Sequence, residues 1–588
     1  MKRIMSGKWL RGCALAAFAM MSVVPVLAQL NVNSTVRAYN SAVSLTYVSV
    51  EVGNPTSVPA LCSLEFKGWS SSSSNEMITR MDLPEIPPGS SRIVNVPVPS
   101  KDVNSGRLIH RNGRGDHPLT IQTSNYGNPD YKGYLNVVEP ANSLTDLQLD
   151  AFTMRLHPDA SRYGHSSSSS TTRTLSEAER NISQMAPEAM PEDWRCFAPV
   201  YRVFIADSAE RRLTSPQREA LNTYLTLGGK VTIYGASEDW TETVGRGERA
   251  YARSNPLLTG QYSKHAGGTP LEVFNDLNSA VSPYRETRGG GRYGAFSLAT
   301  LFLILVGPVN YFYHAKRQQL RRIIITVPLI SLAFCSLIGV YFIFTQGFSR
   351  KGGSISLTTI DEASNRAVTF ARHSLLSGLY PLGGFHFSPQ TYFLRNSGDD
   401  SGGGQFDLTN ELKLVSGVFQ PGIPFNYSTI MPYTSRERLI YKDESGEVVN
   451  GFELPIKAVA VWDDGKFLRG ASVQPGASLK LTAVDESELS AAMPIDIMQG
   501  ERSDDVKVAR LAMLAGQHQL DTEELNNLRD MAQRLAKDVN AAEGPIYAVV
   551  FDAIPKTSDS GVVISEGKNL HVLMGIMQAE GTQEEQQP

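Results

Sequence analysis

Residues 295–345 read AFSLATLFLILVGPVNYFYHA, KRQQLRR and IIITVPLISLAFCSLIGVYFIFT in succession, and this stretch decides the layout of the chain. Its two apolar runs, 295–315 and 323–345, contain no Asp, Glu, Lys or Arg. At about 1.5 Å of rise per helical residue, each run is long enough to cross a hydrocarbon layer of about 30 Å. We therefore predict two transmembrane helices; a buried helical hairpin of a soluble protein is the alternative interpretation.

The short loop between the two runs, residues 316–322, is strongly basic. It contains Lys316, Arg317, Arg321 and Arg322 and no acidic residue. Short loops rich in Lys and Arg stay on the cytoplasmic side of a membrane. We therefore expect both long flanking regions to lie outside the cytoplasm.

The first 28 residues have the pattern of a secretory signal peptide. A basic start containing Lys2 and Arg3 precedes an apolar stretch at 13–24, and Pro25 is followed by Val-Leu-Ala28. Such a small-residue end predicts cleavage after Ala28. An uncleaved anchor is the alternative. A cleaved signal and a basic loop predict the same orientation, a two-pass protein of the bacterial inner membrane with both large regions periplasmic.

Composition excludes several classes of protein. The chain has 588 residues, of which 41% are hydrophobic and 19% charged, so it is neither wholly disordered nor collagen-like, and its length predicts several domains. A net charge of −4 gives no basic excess of the kind that binds nucleic acid. Cys62 and Cys196 are the cysteines of the soluble regions; they could form a disulfide, but two buried free thiols are the favoured interpretation.

The region before the membrane segments changes character near residue 138. Residues 29–137 contain β-rich runs separated by turn signals, which favours a small immunoglobulin-like β-sandwich; the runs are 44–52, 60–66, 91–98, 119–123 and 131–138. Residues 138–260 contain a buried-type strand at 201–206, a helix with Ser215 as N-cap and Pro216 in its first turn, a Gly228-Gly229 stop and a strand at 231–234. This order predicts a parallel α/β unit.

After the membrane segments the chain again reads as β. Residues 350–485 contain predicted strands near 354–359, 392–395, 458–462 and 478–481, with the glycines at 402–404 assigned to a loop. Residues 486–575 contain two predicted helices, 504–516 and 521–539, and a pair of strands at 546–551 and 570–573.

The predicted fold class is thus multidomain α/β plus β. The predicted division is as follows: 1–28 signal peptide, 29–137 β-sandwich-like domain, 138–260 α/β domain, 261–294 linker, 295–315 first transmembrane helix, 316–322 cytoplasmic loop, 323–345 second transmembrane helix, 350–485 β-rich domain, 486–575 α/β C-terminal region and 576–588 disordered tail.

Three stretches resemble a group of bacterial two-pass inner-membrane proteins that have a glutamine-amidotransferase-like, flavodoxin-like extracytoplasmic domain. These stretches are 190–235, the Leu-Val-Gly-Pro-Val-Asn-Tyr element at 305–311, and 547–552 together with 570–575. They cover less than a quarter of the chain, and the Gly-Pro-Val-Asn-Tyr element is the most specific. The resemblance implies a membrane-anchored α/β domain, but it implies no established activity.

The sequence departs from active amidotransferases at the nucleophile. In those enzymes the strand after the Gly-Gly turn leads to an elbow that presents a cysteine. Here that strand continues as Gly235-Ala236-Ser237, and Cys196 lies upstream of the previous strand. Ser237 is a candidate replacement nucleophile, although no histidine follows it at a recognisable triad position. We therefore predict no catalytic residue.

The remaining motifs favour ordinary structural roles. Gly289 to Gly294 match G-x-G-x-x-G, but they open a membrane helix and are interpreted as a linker. His110 and His117, with Asp116 between them, are better explained by a loop than by a metal site. Pro308 and Asn310 lie within the first apolar run, where a kink satisfied by the neighbouring helix is favoured over contact with a partner membrane protein.

These features predict a membrane-anchored extracytoplasmic scaffold or binding component of an envelope complex. The expected partners are the inner membrane and other envelope proteins, with no cofactor, no metal and no nucleic acid. The alternative is a periplasmic hydrolase or amidotransferase-like enzyme that uses Ser237 or a composite site.

Overall fold

A computed structural model of the chain shows a mixed α/β protein built mostly from strands, with two long apolar helices. The structure describes residues 31–33, 45–69, 76–100, 102–110, 116–119, 121, 133–149, 182–259, 290–346, 350–395, 403–484, 545–551 and 566–576, apart from residues 147, 363, 379, 382, 422, 443–444 and 465 within these ranges.

The strands before the apolar helices are numbered β1 to β13. They are β1 (Asn31–Asn33), β2 (Thr46–Gly53), β3 (Cys62–Trp69), β4 (Glu76–Asp82), β5 (Ser91–Val98), β6 (Asp102–His110), β7 (Asp116–Leu119), β8 (Gly133–Val137), β9 (Ile182–Met185), β10 (Val200–Ala206), β11 (Lys230–Tyr234), β12 (Trp240–Val244) and β13 (Gly247–Ala252).

The strands after the apolar helices are numbered β14 to β28. They are β14 (Lys351–Asp361), β15 (Arg366–Leu376), β16 (Phe385–Phe387), β17 (Tyr392–Arg395), β18 (Gly404–Asp407), β19 (Leu412–Ser416), β20 (Phe425–Thr434), β21 (Leu439–Lys442), β22 (Glu447–Asn450), β23 (Ala458–Asp463), β24 (Lys466–Gly470), β25 (Ser478–Lys480), β26 (Thr482–Ala483), β27 (Ile546–Phe551) and β28 (Glu566–Ile576).

The α-helices among the described residues are short outside the apolar segment 290–346 and long within it. They are α1 (Asp207–Glu210), α2 (Ser215–Thr226), α3 (Pro256–Thr259), α4 (Gly290–Ile304), α5 (Asn310–Lys316) and α6 (Ile323–Gln346). A π-helical turn, Leu305–Val309, joins α4 to α5, and short 3₁₀ helices form at Pro140–Asn142, Pro187–Ala189, Trp194–Phe197 and Leu320–Arg322.

A six-stranded sheet forms the α/β part, with the order β12-β13-β11-β10-β8-β9. Strands β9, β8, β10, β11 and β13 are mutually parallel, and β12 pairs antiparallel with β13 at the edge. The parallel strand–helix–strand unit predicted from the sequence is present as β10, α2 and β11.

Helix α2 begins one residue earlier than its predicted cap implies. Thr214, not Ser215, is the N-cap: its Oγ1 accepts from the Gln217 backbone N–H, and Gln217 Oε1 accepts from the Thr214 N–H. The predicted Gly-Gly stop is present. Gly228 has a φ of +103°, and a Cβ on Gly229 would lie 2.3 Å from the Tyr224 ring, so this turn requires glycine.

A seven-stranded sheet joins the two halves of the chain, with the order β16-β19-β18-β4-β3-β6-β7. Strand β4, before the apolar helices, pairs in parallel with β18, after them. The predicted loop at 402–404 is wrong at Gly404, which begins β18. Close approach explains the glycines, because a Cβ on Gly403 would lie 2.3 Å from the Glu76 carbonyl oxygen.

A nine-stranded sheet forms the largest layer, with the order β17-β20-β15-β14-β28-β27-β23-β24-β26. The C-terminal strands β27 and β28 pair antiparallel, and β28 then pairs in parallel with β14. The regions 350–485 and 486–575, assigned separately from the sequence, therefore contribute strands to the same sheet. Two three-stranded sheets, β1-β2-β5 and β21-β22-β25, complete the β structure among the described residues.

One hydrophobic core spans both halves of the soluble part. It contains Phe204 and Leu225 from the α/β part together with Leu357 and Val572 from the nine-stranded sheet. Polar contacts cross the same boundary: Trp194 Nε1 donates to the Gln390 carbonyl at 3.0 Å. Strand β8, assigned to the N-terminal sandwich from its sequence, belongs to the α/β sheet.

Two helical segments are long and apolar enough to cross a membrane, Phe296–Lys316 and Ile323–Val340. Very few of their side chains are buried, unlike those of a core helix. The segments touch through Phe302 and Phe334, whose ring centroids are 5.3 Å apart. Thr326 Oγ1 also donates to Asn310 Oδ1 at 3.0 Å, the contact between helices that the sequence interpretation favoured.

Several sequence predictions lie outside the described residues. These are the signal peptide 1–28, the helices 504–516 and 521–539, and residues 577–588 of the predicted tail. The tail prediction 576–588 is wrong at Ile576, which ends β28. Of the strand predicted at 119–123, Leu119 ends the observed strand Asp116–Leu119, Ile121 is not in a strand, and residues 120, 122 and 123 lie outside the described residues.

Polar side chains occupy the buried centre of the nine-stranded sheet. Thr358 Oγ1 lies 2.6 Å from Thr369 Oγ1 and 2.9 Å from His571 Nε2, while His373 Nε2 lies 3.3 Å from Thr429 Oγ1. Burial lowers the pKa of His571 to about 3 and that of His373 to about 4. Both imidazoles are therefore neutral in the folded protein at neutral pH.

The shared seven-stranded sheet predicts a specific crosslink. Ile78 lies opposite Gln405 in the β4–β18 register, and neither side chain is buried. Ile78→Cys with Gln405→Cys, in a background where the exposed Cys335 is replaced by serine, should form an oxidative crosslink on denaturing gels. Ile78→Cys with Ile440→Cys is the control, because Ile440 lies in a different sheet. Equal crosslinking of the two pairs would contradict the observed pairing.

The buried histidines predict an acid-sensitive fold. Because the folded pKa values lie below the ordinary 6.5, the unfolded chain binds protons first as the pH falls. The free energy of unfolding should therefore decrease as the pH is lowered from about 6.5 to about 4, by up to about 1.4 kcal/mol per pH unit for each histidine. Urea unfolding of wild type and of His571→Gln across this range should show a shallower slope for the variant. An identical slope would contradict the prediction.

Candidate functional site

The carboxyl edge of the six-stranded sheet is a candidate ligand-binding site. Numbered along the chain, its parallel strands β8, β9, β10, β11 and β13 follow the spatial order 2-1-3-4-5. Strand β9 lies beyond β8 toward one edge of the sheet, and β11 lies beyond β10 toward the other edge. The strand order therefore reverses between β8 and β10, a topology that forms a crevice in open α/β sheets. In open α/β sheets, ligands bind at the carboxyl ends of the strands beside such a crevice.

Ion pairs cover the carboxyl ends of β8 and β10. Arg212 bridges Glu139, at 3.4 Å, and Glu188, and Arg211 pairs with Asp207. These side chains are largely exposed, so each pair adds little to stability. Their charges largely compensate one another, and the crevice has no unbalanced cluster of one sign among these residues.

Beneath these ion pairs lies a neutral hydrogen-bond network. Tyr234, the last residue of β11, donates its hydroxyl to Asn136 Oδ1 at 3.1 Å, and Asn136 Nδ2 donates to Gln184 Oε1 at 3.1 Å. Asn136 is fully buried. Burial raises the pKa of Tyr234 to about 12, so its phenol remains protonated at neutral pH. The network connects β11, β8 and β9 across the intervening strand β10 without a charged group.

The sequence candidate Ser237 lies in an exposed turn between β11 and β12. A nucleophile elbow requires a strained turn that passes from a strand into a helix. Here the positive φ of +87° belongs to Gly235, and the chain continues into a strand. In the described part of the chain no hydrogen bond joins the Ser237 hydroxyl to a histidine.

Both soluble cysteines are buried free thiols. Cys196, in the 3₁₀ helix Trp194–Phe197, packs with Tyr47, and Cys62 lies in the core of the N-terminal sheets. Burial raises the pKa of each thiol, and that of Cys196 is well above the ordinary value. A protonated, enclosed thiol is a poor nucleophile. Cys196 therefore lacks both the reactivity and the position of an amidotransferase nucleophile.

The loop interpretation is wrong for the histidine pair, because His110 ends β6 and His117 lies on the adjacent strand β7 of the seven-stranded sheet. Burial, and then the proximity of His117, lowers the pKa of His110. Asp116 pairs with Arg107 at 3.2 Å instead of facing the two imidazoles as a third ligand. Within the described ranges, no group of three or more His, Cys, Asp or Glu side chains could hold a metal ion.

The glycine motif at 289–294 overlaps the start of α4, which begins at Gly290, so the predicted linker 261–294 is wrong at residues 290–294. The residues immediately before it, 260–289, lie outside the described part, so the strand that a dinucleotide site requires is untested. Helix α4 itself leads into the apolar segment Phe296–Lys316.

An aromatic pair that sequence reasoning missed lies at the same carboxyl edge. Trp240 begins β12 and Tyr251 lies near the end of β13; their rings stack with centroids 4.3 Å apart and planes 6° apart. Trp240 remains 48% exposed. The sequence contains a signal for the hairpin that carries this pair, because two β-rich runs flank Gly245-Arg246-Gly247, a typical hairpin turn.

A second concave region lies between α2 and the nine-stranded sheet. This cleft has a volume of about 510 Å³, with Glu219 and Thr223 on one wall and Arg366 and Tyr433 on the other. Arg366 Nη2 donates to Glu219 Oε2 at 2.6 Å, and its Nη1 donates to Thr223 Oγ1 at 3.4 Å. The cleft is thus bridged by an ion pair between residues from before and after the apolar helices.

The neutral network predicts a stability effect at the sheet edge. Tyr234→Phe removes the donor to buried Asn136 Oδ1, so the free energy of unfolding should fall by about 1–2 kcal/mol. Tyr441→Phe is the control, because its hydroxyl donates to Asp463 at a half-buried position where water can substitute. Urea unfolding checks both variants; an equal loss from both would contradict a specific role for the network.

No protein-family model matches the chain, and no curated protein is significantly similar to it.

Proposed function

We propose that this protein is a two-span membrane protein whose soluble halves form one extracytoplasmic body, and that it acts as a scaffold or binding component of an envelope complex. The observation that carries the proposal is the parallel pairing of β4 with β18. These strands lie on opposite sides of the apolar helices in the chain, yet they share one sheet.

The pairing constrains how the helices cross a membrane. Hydrogen-bonded neighbours in a sheet lie about 4.8 Å apart, whereas a hydrocarbon layer is about 30 Å thick. Strands β4 and β18 must therefore lie on the same side, which requires the intervening chain to cross an even number of times. Two helices joined by the short turn at Leu320–Arg322 satisfy this requirement.

The side itself is proposed from charge. Lys316, Arg317, Arg321 and Arg322 are exposed at the turn between the helices. Exposed Lys and Arg in a short loop favour the cytoplasm. The signal-peptide pattern at 1–28 supports the same orientation, with the soluble body in the periplasm.

The α/β part is proposed to be a flavodoxin-like, amidotransferase-related domain used for binding. Its 2-1-3-4-5 strand order is that of flavodoxin-like sheets. At the position of the amidotransferase nucleophile, however, the chain passes through Gly235 and Ser237 into the edge strand β12 instead of through an elbow into a helix. The paired charges and the neutral network at this edge favour a surface that holds a partner over one that activates a nucleophile.

Reporter fusions test the orientation. Fusions after Gly260 and after Ser487 should be active only with a periplasmic reporter, and an insertion after Gln318 only with a cytoplasmic one. Opposite results at Gly260 and Ser487 would overturn the even number of crossings, and cytoplasmic activity at both would overturn the proposed side.

Crosslinking in intact membranes tests the scaffold role. Pull-down of the full-length protein should recover envelope proteins, and Ser237→Ala should recover the same set and support the same cellular phenotype. Loss of the phenotype in Ser237→Ala at an unchanged protein level would favour the hydrolase alternative.

A further inference from the structure

The Trp240–Tyr251 stack is a rigid, flat aromatic surface. The two residues are directly opposite each other in the antiparallel β12–β13 pair, so their side chains leave the sheet on the same face. One face of the Trp240 ring rests on Tyr251 in a nearly parallel stack, and almost half of the Trp240 side chain remains exposed. The stack fixes the orientation of the indole before any ligand arrives.

Hydrogen-bonding groups continue from this stack along the same face. Glu242 and Arg249 occupy the next positions on that face, and Arg249 Nη1 donates to Glu242 Oε1 at 2.9 Å. Arg249 Nη2 also donates to Asn222 Oδ1, on helix α2, at 2.6 Å. On the loop side, Asp239 Oδ1 accepts from the Arg253 backbone N–H at 2.6 Å. Carboxylates, an amide and a guanidinium therefore border the aromatic surface.

This combination distinguishes between the possible occupants. A protein hot spot is enclosed by contacts that exclude water, and a membrane-binding surface needs a broad apolar face. Here one exposed indole forms the apolar surface on β12, and the next residue on the same face is the charged Glu242. A pyranose ring has a matching structure, with a C–H face that packs on an aromatic ring and an equator of hydroxyls that bond to charged and amide side chains.

We propose that the Trp240–Tyr251 stack is a carbohydrate-binding platform that holds one sugar ring of a glycan, with Glu242, Arg249 and Asn222 bonding to its hydroxyls. The platform lies on the outer strands β12 and β13, at the carboxyl edge of the parallel sheet and away from the strand-order reversal between β8 and β10. The platform extends the binding role proposed above. The choice of an envelope glycan as its ligand rests on that proposed role.

Binding of soluble oligosaccharides to the purified full-length protein in detergent tests the platform. The probes are tetramers of β-linked N-acetylglucosamine, β-linked glucose and α-linked glucose, titrated by calorimetry and by tryptophan fluorescence. We expect at least one probe to bind, Trp240→Ala to weaken its binding at least about tenfold, and Trp240→Phe to weaken it less, because phenylalanine keeps a smaller flat face. Leu258→Ala is the matched control, since Leu258 is 46% exposed in the same part of the chain.

Two results would overturn the platform. The first is wild-type protein that binds no probe at millimolar concentration, and the second is Trp240→Ala that binds as tightly as wild type while melting at the same temperature. Loss of a crosslinked protein from Trp240→Ala without any glycan binding would assign the surface to a protein partner instead. Because these titrations use purified protein, they are independent of the reporter fusions: a failed orientation leaves the sugar site standing, and a failed sugar site leaves the orientation standing.

Discussion

The parallel pairing of β4 with β18 is the constraint on which the rest of the structure depends. It places strands from both sides of the apolar helices in one sheet, and the main hydrophobic core likewise draws on residues from both halves of the chain. Two separately folded lobes on a membrane hairpin could move independently. A shared sheet and a shared core prevent such movement, because separating the halves would expose apolar side chains and unpaired backbone groups.

Weaker contacts also connect the two halves of the chain that this pairing joins. The bond from Trp194 Nε1 to the Gln390 carbonyl and the pair between Arg366 and Glu219 both join segments that lie about 150–200 positions apart in sequence. An exposed ion pair contributes little by itself. The Arg366–Glu219 pair holds α2 against the nine-stranded sheet beside the cleft, and the Trp194 bond ties the neighbouring 3₁₀ helix to the same half of the chain.

Sequence patterns located elements well where the pattern is local. The strands at 91–98, 392–395 and 546–551 have the predicted bounds, because alternation or a continuous apolar run is a property of neighbouring residues. The candidate site was harder to predict. Ser237 was singled out by its position after a Gly-Gly turn and a strand, but the conformation after Gly235 depends on β12 and β13, whose hairpin was missed. Trp240 and Tyr251 are 11 positions apart, and only their cross-strand register stacks them.

By itself, the sequence determined the two apolar segments, the basic turn between them, the mixed α/β character and the strand–helix–strand unit around α2, since these follow from composition and short-range periodicity. The tertiary structure alone decided which strands pair across the apolar helices, why Gly403 and Gly404 are needed at β18, and how charged and aromatic side chains meet at the carboxyl edge. The physical reason is that partners distant in the chain are selected by register, close packing and burial, and none of these is encoded in a window of neighbouring residues.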